Sequence, residues 1–192
     1  MRLNKNLIVL ITVITLALVP PSASADIKTF IGVDAVKIET TLTYLNGVEN
    51  FDFEGVRLRY GIENSAGGTA GIELISGDSD EKIDPFGDLF KLETGETFGL
   101  YATLGKPVYL RVGWSIWQTE YSEVASNVID KETVNSLEIG LGFNLLIGRN
   151  LTLYADWAVR DTNASYPIYI TGIGEDPDYH SELLSVGFNI KF

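Results

Sequence analysis

The chain has one histidine, His180, followed by Ser181 and Glu182, and a Ser-His-acid set is the combination that activates a hydroxyl nucleophile. The spacing opposes that use. Neighbouring side chains of a strand point to opposite faces, which separates His180 from Ser181. A second set is acidic: Asp78, Asp80, Asp84 and Asp88, then Glu175, Asp176 and Asp178, offer the hard oxygen ligands that calcium and magnesium prefer. It lacks the glycine and terminal glutamate of an EF-hand loop and reads as solvated connections. We therefore assign no catalytic residue, no metal ligand and no cofactor. The third set is the informative one. Arg59, Glu73, Glu138 and Arg160 fall at alternate positions inside otherwise apolar runs. A buried charge is costly unless paired, so these residues need partners. If Glu63 pairs with Thr69 across a short turn, Arg59 lies opposite Glu73, at roughly 5 Å between Cβ atoms. By the same count Glu138 comes level with Arg160 and Tyr101 faces Arg111. Interior ion pairs are the expectation.

The elements that would hold these side chains are strands. Glu182 to Phe192 puts Leu184, Val186, Phe188, Ile190 and Phe192 on one face, and Leu183, Ser185, Gly187, Asn189 and Lys191 on the other. Seven earlier runs repeat the alternation. They are Thr29 to Glu39, Glu54 to Glu63, Thr69 to Ser76, Thr94 to Leu104, Val108 to Tyr121, and runs centred on Leu141 and Ala155. The intervening segments alternate in length. Thr40 to Phe53, Gly77 to Glu93, Glu123 to Glu132 and Asn163 to His180 are long; Asn64 to Gly68, Gly105 to Pro107 and Gly148 to Asn150 are short. The predicted fold class is all-β, an eight-stranded antiparallel up-and-down transmembrane β-barrel, because such barrels carry short periplasmic turns and longer extracellular loops.

A soluble lipocalin-like barrel would turn its apolar face inward. Here the less apolar face carries Gly61, Gly99, Gly113, Gly140, Gly142 and Gly187 among Arg, Glu, Asp, Thr and Tyr, which suits a narrow interior where large and small side chains interlock. On a solvated face those glycines would weaken the strands without packing benefit. Trp114, Trp157, Tyr60 and Phe98 on the apolar face are candidates for interfacial girdles. An eight-stranded barrel is filled by its own side chains, so no aqueous pore is expected.

Composition bounds the partners. The 192 residues carry a formal charge of −12. Arg2 and Lys5, the apolar run Leu7 to Val19 and Ala23-Ser24-Ala25 form a signal-peptide pattern, so residues 1–25 are expected to be a signal peptide and 26–192 the barrel domain. Loss of Arg2 and Lys5 would leave 12 of 14 basic residues against 26 acidic ones, which argues against a general nucleic-acid binder. The lack of cysteine fits export without disulfides and excludes thiol chemistry. Tyr166, Ile168, Tyr169, Ile170 and Ile173 make the last long connection unusually apolar for a surface segment, as at a partner or membrane contact.

With the signal pattern, eight runs, loop asymmetry and the ending Val186-Gly187-Phe188-Asn189-Ile190-Lys191-Phe192, the chain resembles the small outer-membrane barrel families OmpX, the OmpA transmembrane domain and OmpW. That resemblance implies the outer membrane of a Gram-negative bacterium, with outer-membrane lipid and lipopolysaccharide as surroundings. It also implies an assembly signal at Phe188, Ile190 and Phe192, read by the outer-membrane assembly machinery, and an unknown surface partner. The peptidoglycan-binding role of full-length OmpA proteins is not expected, since this sequence closes on Phe192. Lipid A deacylases carry a His and a Ser one residue apart, a spacing that His180-Ser181 lacks. The expected role is non-enzymatic, in envelope structure or surface interaction through four extracellular loops. OmpW-like passage of small hydrophobic molecules is the alternative, resting on Ile75, Trp117 and Leu146, and a lipid A-modifying enzyme is the second.

Overall fold

The computed structural model describes residues 27–44, 47–83, 89–123, 128–163 and 178–192. Ten strand segments occur among them: β1 (Lys28–Tyr44), β2 (Gly47–Glu63), β3 (Thr69–Ile75), β4 (Asp78–Ile83), β5 (Leu89–Thr94), β6 (Thr97–Leu104), β7 (Val108–Glu123), β8 (Val128–Leu146), β9 (Leu151–Asn163) and β10 (Asp178–Lys191). β4 continues β3 past Ser76-Gly77, and β5 runs into β6 past Gly95-Glu96. The segments therefore make eight staves. Every neighbouring pair is antiparallel, and β1 with β10 and β7 with β8 complete the ring. Closure removes the open edges that an isolated sheet would expose. No helix among the described residues is long and apolar enough to cross a membrane, which says nothing of strands.

Two storeys divide the barrel along its axis. In the lower storey, towards the short turns, Ile31, Val56, Leu58, Leu74, Leu141 and Leu184 are exposed on the outside while Asp34, Arg57, Arg59 and Glu73 are buried inside. On β8 this outer band runs from Leu137 to Leu145, eight residue steps, or roughly 20 Å along the axis for a tilted strand. That is near the height of the apolar band of outer-membrane barrels. Trp157, level with Leu141 on β8 and with Leu184 on β10, is exposed, with its indole N–H donating to Glu182 Oε2 at 3.0 Å. An aromatic body with a polar tip suits a membrane interface. Phe98 on β6 and Ile116 opposite it on β7 end the band there, Trp114 lies one outward position below, and Tyr60 lies near the short-turn end.

In the upper storey the pattern inverts. Val36, Ile38, Phe51, Phe53, Ile75, Ala158 and Leu183 pack on one another inside the barrel. Outside them, Lys37, Glu39, Asp52 and Glu54 are exposed. This half has the amphipathy of a water-soluble barrel: apolar burial stabilises it from within and charge solvates its wall.

The inversion corrects the expected loops. Thr40 to Phe53 is not a loop: β1 continues to Tyr44 and β2 starts at Gly47. The stretch from Gly77 to Glu93 likewise contains β4 and β5, and β8 begins at Val128, inside the expected connection. Once the barrel rises above the apolar band its strands need water-facing outer residues. The period of two survives but its sign changes. Tyr166, Ile168, Tyr169, Ile170 and Ile173, like residues 1–25, lie outside the described residues.

Candidate functional site: a charge-filled lumen

The interior collects four arginines, Arg57, Arg59, Arg111 and Arg160, with four carboxylates, Asp34, Glu73, Glu138 and Asp156, and none of the eight is more than 4 % exposed. Their formal charges cancel. Alternation places them: each sits at an inward position of a strand whose next residues point to the band. Arg57 Nε donates to Asp34 Oδ2 at 2.6 Å, and its Nη2 donates to Asp156 Oδ2 at 3.1 Å and to Ser185 Oγ at 2.6 Å. Arg57 also lies 3.6 Å from Glu73, whose Oε1 accepts from Arg111 Nη2 at 2.5 Å. The chain of charge continues from Arg111 to Glu138 at 3.2 Å, and from Glu138 to Arg160 at 3.0 and 2.6 Å.

Residues on both sides complete the plug. Tyr109 O–H and Ser185 O–H donate to Asp156 at 3.1 and 2.7 Å. The Arg59 guanidinium stacks 3.6 Å from the Tyr154 ring centre, and Arg111 lies 4.8 Å over the Tyr101 ring, contacts in which a cation meets the negative face of an aromatic ring. Below this layer a cavity of about 20 Å³, beside Arg59 and Tyr154, has room for about one water molecule. Gly142 belongs to the same packing. A Cβ there would stand 2.1 Å from the Tyr109 ring, so glycine is what lets that ring lie across the lumen.

Arg59 and Glu73 are directly opposite in the β2–β3 register, with Glu63 opposite Thr69. Their charges nevertheless point to other partners: Arg59 lies 3.6 Å from Asp34, and Glu73 takes Arg111 and Arg57. Glu138 and Arg160 are level and bonded. Tyr101 is not level with Arg111. The pairing Leu104 with Leu110 leaves five residues in the turn rather than three, which puts Gly113 opposite Tyr101 and Thr103 opposite Arg111. The Tyr101–Arg111 contact is diagonal. Asp34, Arg57, Arg111 and Asp156 were readable as inward residues, but their pairing was not, because it crosses the lumen between strands that are not neighbours.

His180 is exposed, whereas Ser181 is buried and shares a hydrogen bond with Thr40 Oγ1 at 3.0 Å. Glu182 is engaged by Trp157. Ser181 thus points into the barrel, away from His180 and Glu182 on the outer face. Asp78 and Asp80 take a structural part, their Oδ2 atoms accepting from the backbone N–H groups of Glu54 and Asp52, each at 3.1 Å. They seal the seam between β2 and β4, where no strand ladder forms. Asp84, Asp88, Glu175 and Asp176 lie outside the described residues, and the side chain of Asp178 is not described. Ile75 and Trp117 are buried in the upper interior, while Leu146 is 61 % exposed at the short-turn end. Phe188, Ile190 and Phe192 point outward, and the backbone N–H of Phe192 donates to Thr29 O at 2.9 Å.

An apolar belt around a polar, charge-neutral and filled lumen defines a closed barrel of the outer-membrane type. Solved structures share the fold. Ail, the attachment invasion locus protein of Yersinia pestis, solved with the heparin analogue sucrose octasulfate, superposes with a TM-score of 0.52 at 10% sequence identity, over 85% of this chain and 99% of that one. Neisserial surface protein A, NspA, superposes with a TM-score of 0.53 at 15% identity, over 84% of this chain and 97% of that one. No protein-family model and no curated protein sequence matches the chain.

Proposed function

We propose that this chain is a non-enzymatic integral protein of a Gram-negative outer membrane, a closed barrel that holds its outer hairpins above the lipid as a stiff platform for surface contact. One observation carries the reading: the inversion of amphipathy between Ala35 and Lys37, and between Val56 and Glu54, above which the wall is solvated and the interior is packed apolar. A barrel that served only to fill membrane would not need a second storey. The exposed residues Glu39, Asp52, Glu54 and Asp78 make that wall acidic, so its chemistry suits a cationic partner or cation-bridged lipopolysaccharide. Ail was solved with a polysulfated sugar, and a polyanion is the wrong complement for this surface.

The test is complementation of a deletion strain by the full chain and by a variant whose strands are joined by short turns just above the band. Surface contact predicts that the short-walled variant assembles but leaves adhesion unrestored. Full restoration by that variant would leave the platform without a role and favour envelope support by the barrel alone.

A second reading, passage of small hydrophobic molecules, has the apolar upper interior around Ile75 and Trp117 in its favour. The ion layer beneath it opposes movement along the axis. Phe188, Ile190 and Phe192 are proposed as the signal read during outer-membrane assembly. Phe192→Ala would then lower the assembled amount in cells while leaving refolding of the purified chain unchanged.

A further inference from the structure

Basic residues are scarce in this chain, yet four of them meet at the short-turn mouth. Lys28, Lys106, Arg149 and Lys191 line a cavity of about 310 Å³ with Glu63 as the single carboxylate among the lining residues, and the volume is that of a small-ligand site. Glu63 is shared: Lys191 Nζ lies 2.9 and 3.0 Å from its two oxygens, and Lys106 Nζ is bonded to Oε1. Two ammonium groups on one carboxylate leave an excess positive charge. Lys28 and Arg149 are exposed and add two more.

The site is built rather than incidental. Lys191 is 5 % exposed, so its charge is held inside the mouth and not free to swing into solvent. Gly67 has φ of +90°, and a Cβ there would lie 2.6 Å from the stem of Lys106, so the turn between β2 and β3 serves as a rest for that side chain. Thr152, 4 % exposed, stands between this cavity and the small one inside it and lines both, and its hydroxyl has no hydrogen-bond partner among the described residues. A buried hydroxyl without a partner costs free energy that an acceptor entering the cavity would recover. The acidic outer wall does not cancel this charge. β1 spans 17 residues, so the two ends of the barrel stand roughly 40 Å apart, several screening lengths at physiological salt.

We propose that the short-turn mouth is an oxyanion site, in which Lys28, Lys106, Arg149 and Lys191 hold a phosphate group and the Thr152 hydroxyl donates to it. The phosphate is either free or the headgroup of a phospholipid in the adjoining leaflet. That this leaflet is the periplasmic one rests on the function proposed above; the site itself does not.

The test is an amide NMR titration of the refolded chain in maltoside micelles, which contain no phosphate, at constant ionic strength. Inorganic phosphate is one probe and short-chain phosphatidylglycerol doped into the micelle is the other. Saturable shifts at Thr152 and Lys191, weakened about tenfold by Lys28→Gln with Arg149→Gln, support the site; a tenfold change is about 1.4 kcal/mol. Competition of phosphatidylglycerol with phosphate identifies the lipid source, and a response to phosphate alone identifies the free anion. Neither probe moving those signals, or shifts unchanged in the double variant, overturns the proposal. Both replaced residues are exposed, so the variant keeps its fold, and binding in micelles is read independently of where the protein resides in cells.

Discussion

Arg57 on β2 reaches across the lumen to Asp156 on β9, its Nη2 lying 3.2 and 3.1 Å from the two carboxylate oxygens while its Nε is held by Asp34. Two strands that share no ladder are thereby tied through their side chains. Removal of one partner from such a pair leaves a buried charge uncompensated, which costs about 3–5 kcal/mol.

Asp156→Ala is expected to lower the free energy of unfolding by urea of the barrel in lipid vesicles by that order. Arg57→Met in the same chain should restore part of the loss, because three buried arginines then face three buried carboxylates and the lumen is neutral again. Equal and additive losses in the two variants would show that the pair does not act as a unit.

Register and pairing make separate predictions. A double-mutant cycle on Glu73 and Arg111 should give a coupling of about 1–3 kcal/mol, since they share a 2.5 Å bond. The cycle on Arg59 and Glu73 should give a smaller coupling, because these residues face each other across the ladder while their charges are bonded to other partners. The reverse order would contradict the network.

The height of the lipid band is testable with one residue from each storey. Leu141→Arg, in the middle of the outer face of β8, should cost about 2–4 kcal/mol of barrel stability. Lys37→Leu, on the outer wall of the upper storey, should stay within about 0.5 kcal/mol. Equal costs would mean that the inversion at Val36 does not mark the lipid boundary.

Close strand approach predicts a contrast between glycines. A Cβ at Gly187 would stand 2.3 Å from the backbone oxygen of Val33 and 2.7 Å from Asp34 Cα, atoms that cannot move without disturbing β1. Gly148 has nothing within 4 Å. Gly187→Ala should therefore reduce the heat-modifiable folded band on gels, and Gly148→Ala should leave it unchanged.

Alternation alone was enough to read the lower storey, because one rule held there: apolar outward, polar inward. It carried the turns at Glu63–Thr69 and the level of Glu138 with Arg160. The upper storey escaped because Phe51 and Phe53 point inward and Asp52 and Glu54 outward, so a reader expecting a lipid-facing outer wall meets charge and assigns a loop. The partners of Arg57 and Arg111 escaped for a different reason. Strand periodicity fixes which face a side chain takes, but not how far a guanidinium reaches across an eight-stranded ring. The equality of inward arginines with the carboxylates around them was the one signal in the chain that a shared network, rather than isolated pairs, fills the lumen.

Single-channel conductance of the refolded 26–192 chain in planar bilayers tests the closed lumen most directly, with Glu73→Ala as the comparison and folding of both verified beforehand. The charge layer predicts a silent native barrel, with leakage appearing when Glu73 no longer ties Arg57 and Arg111. Steady conductance through the native barrel would contradict a plugged interior and turn the account towards transport.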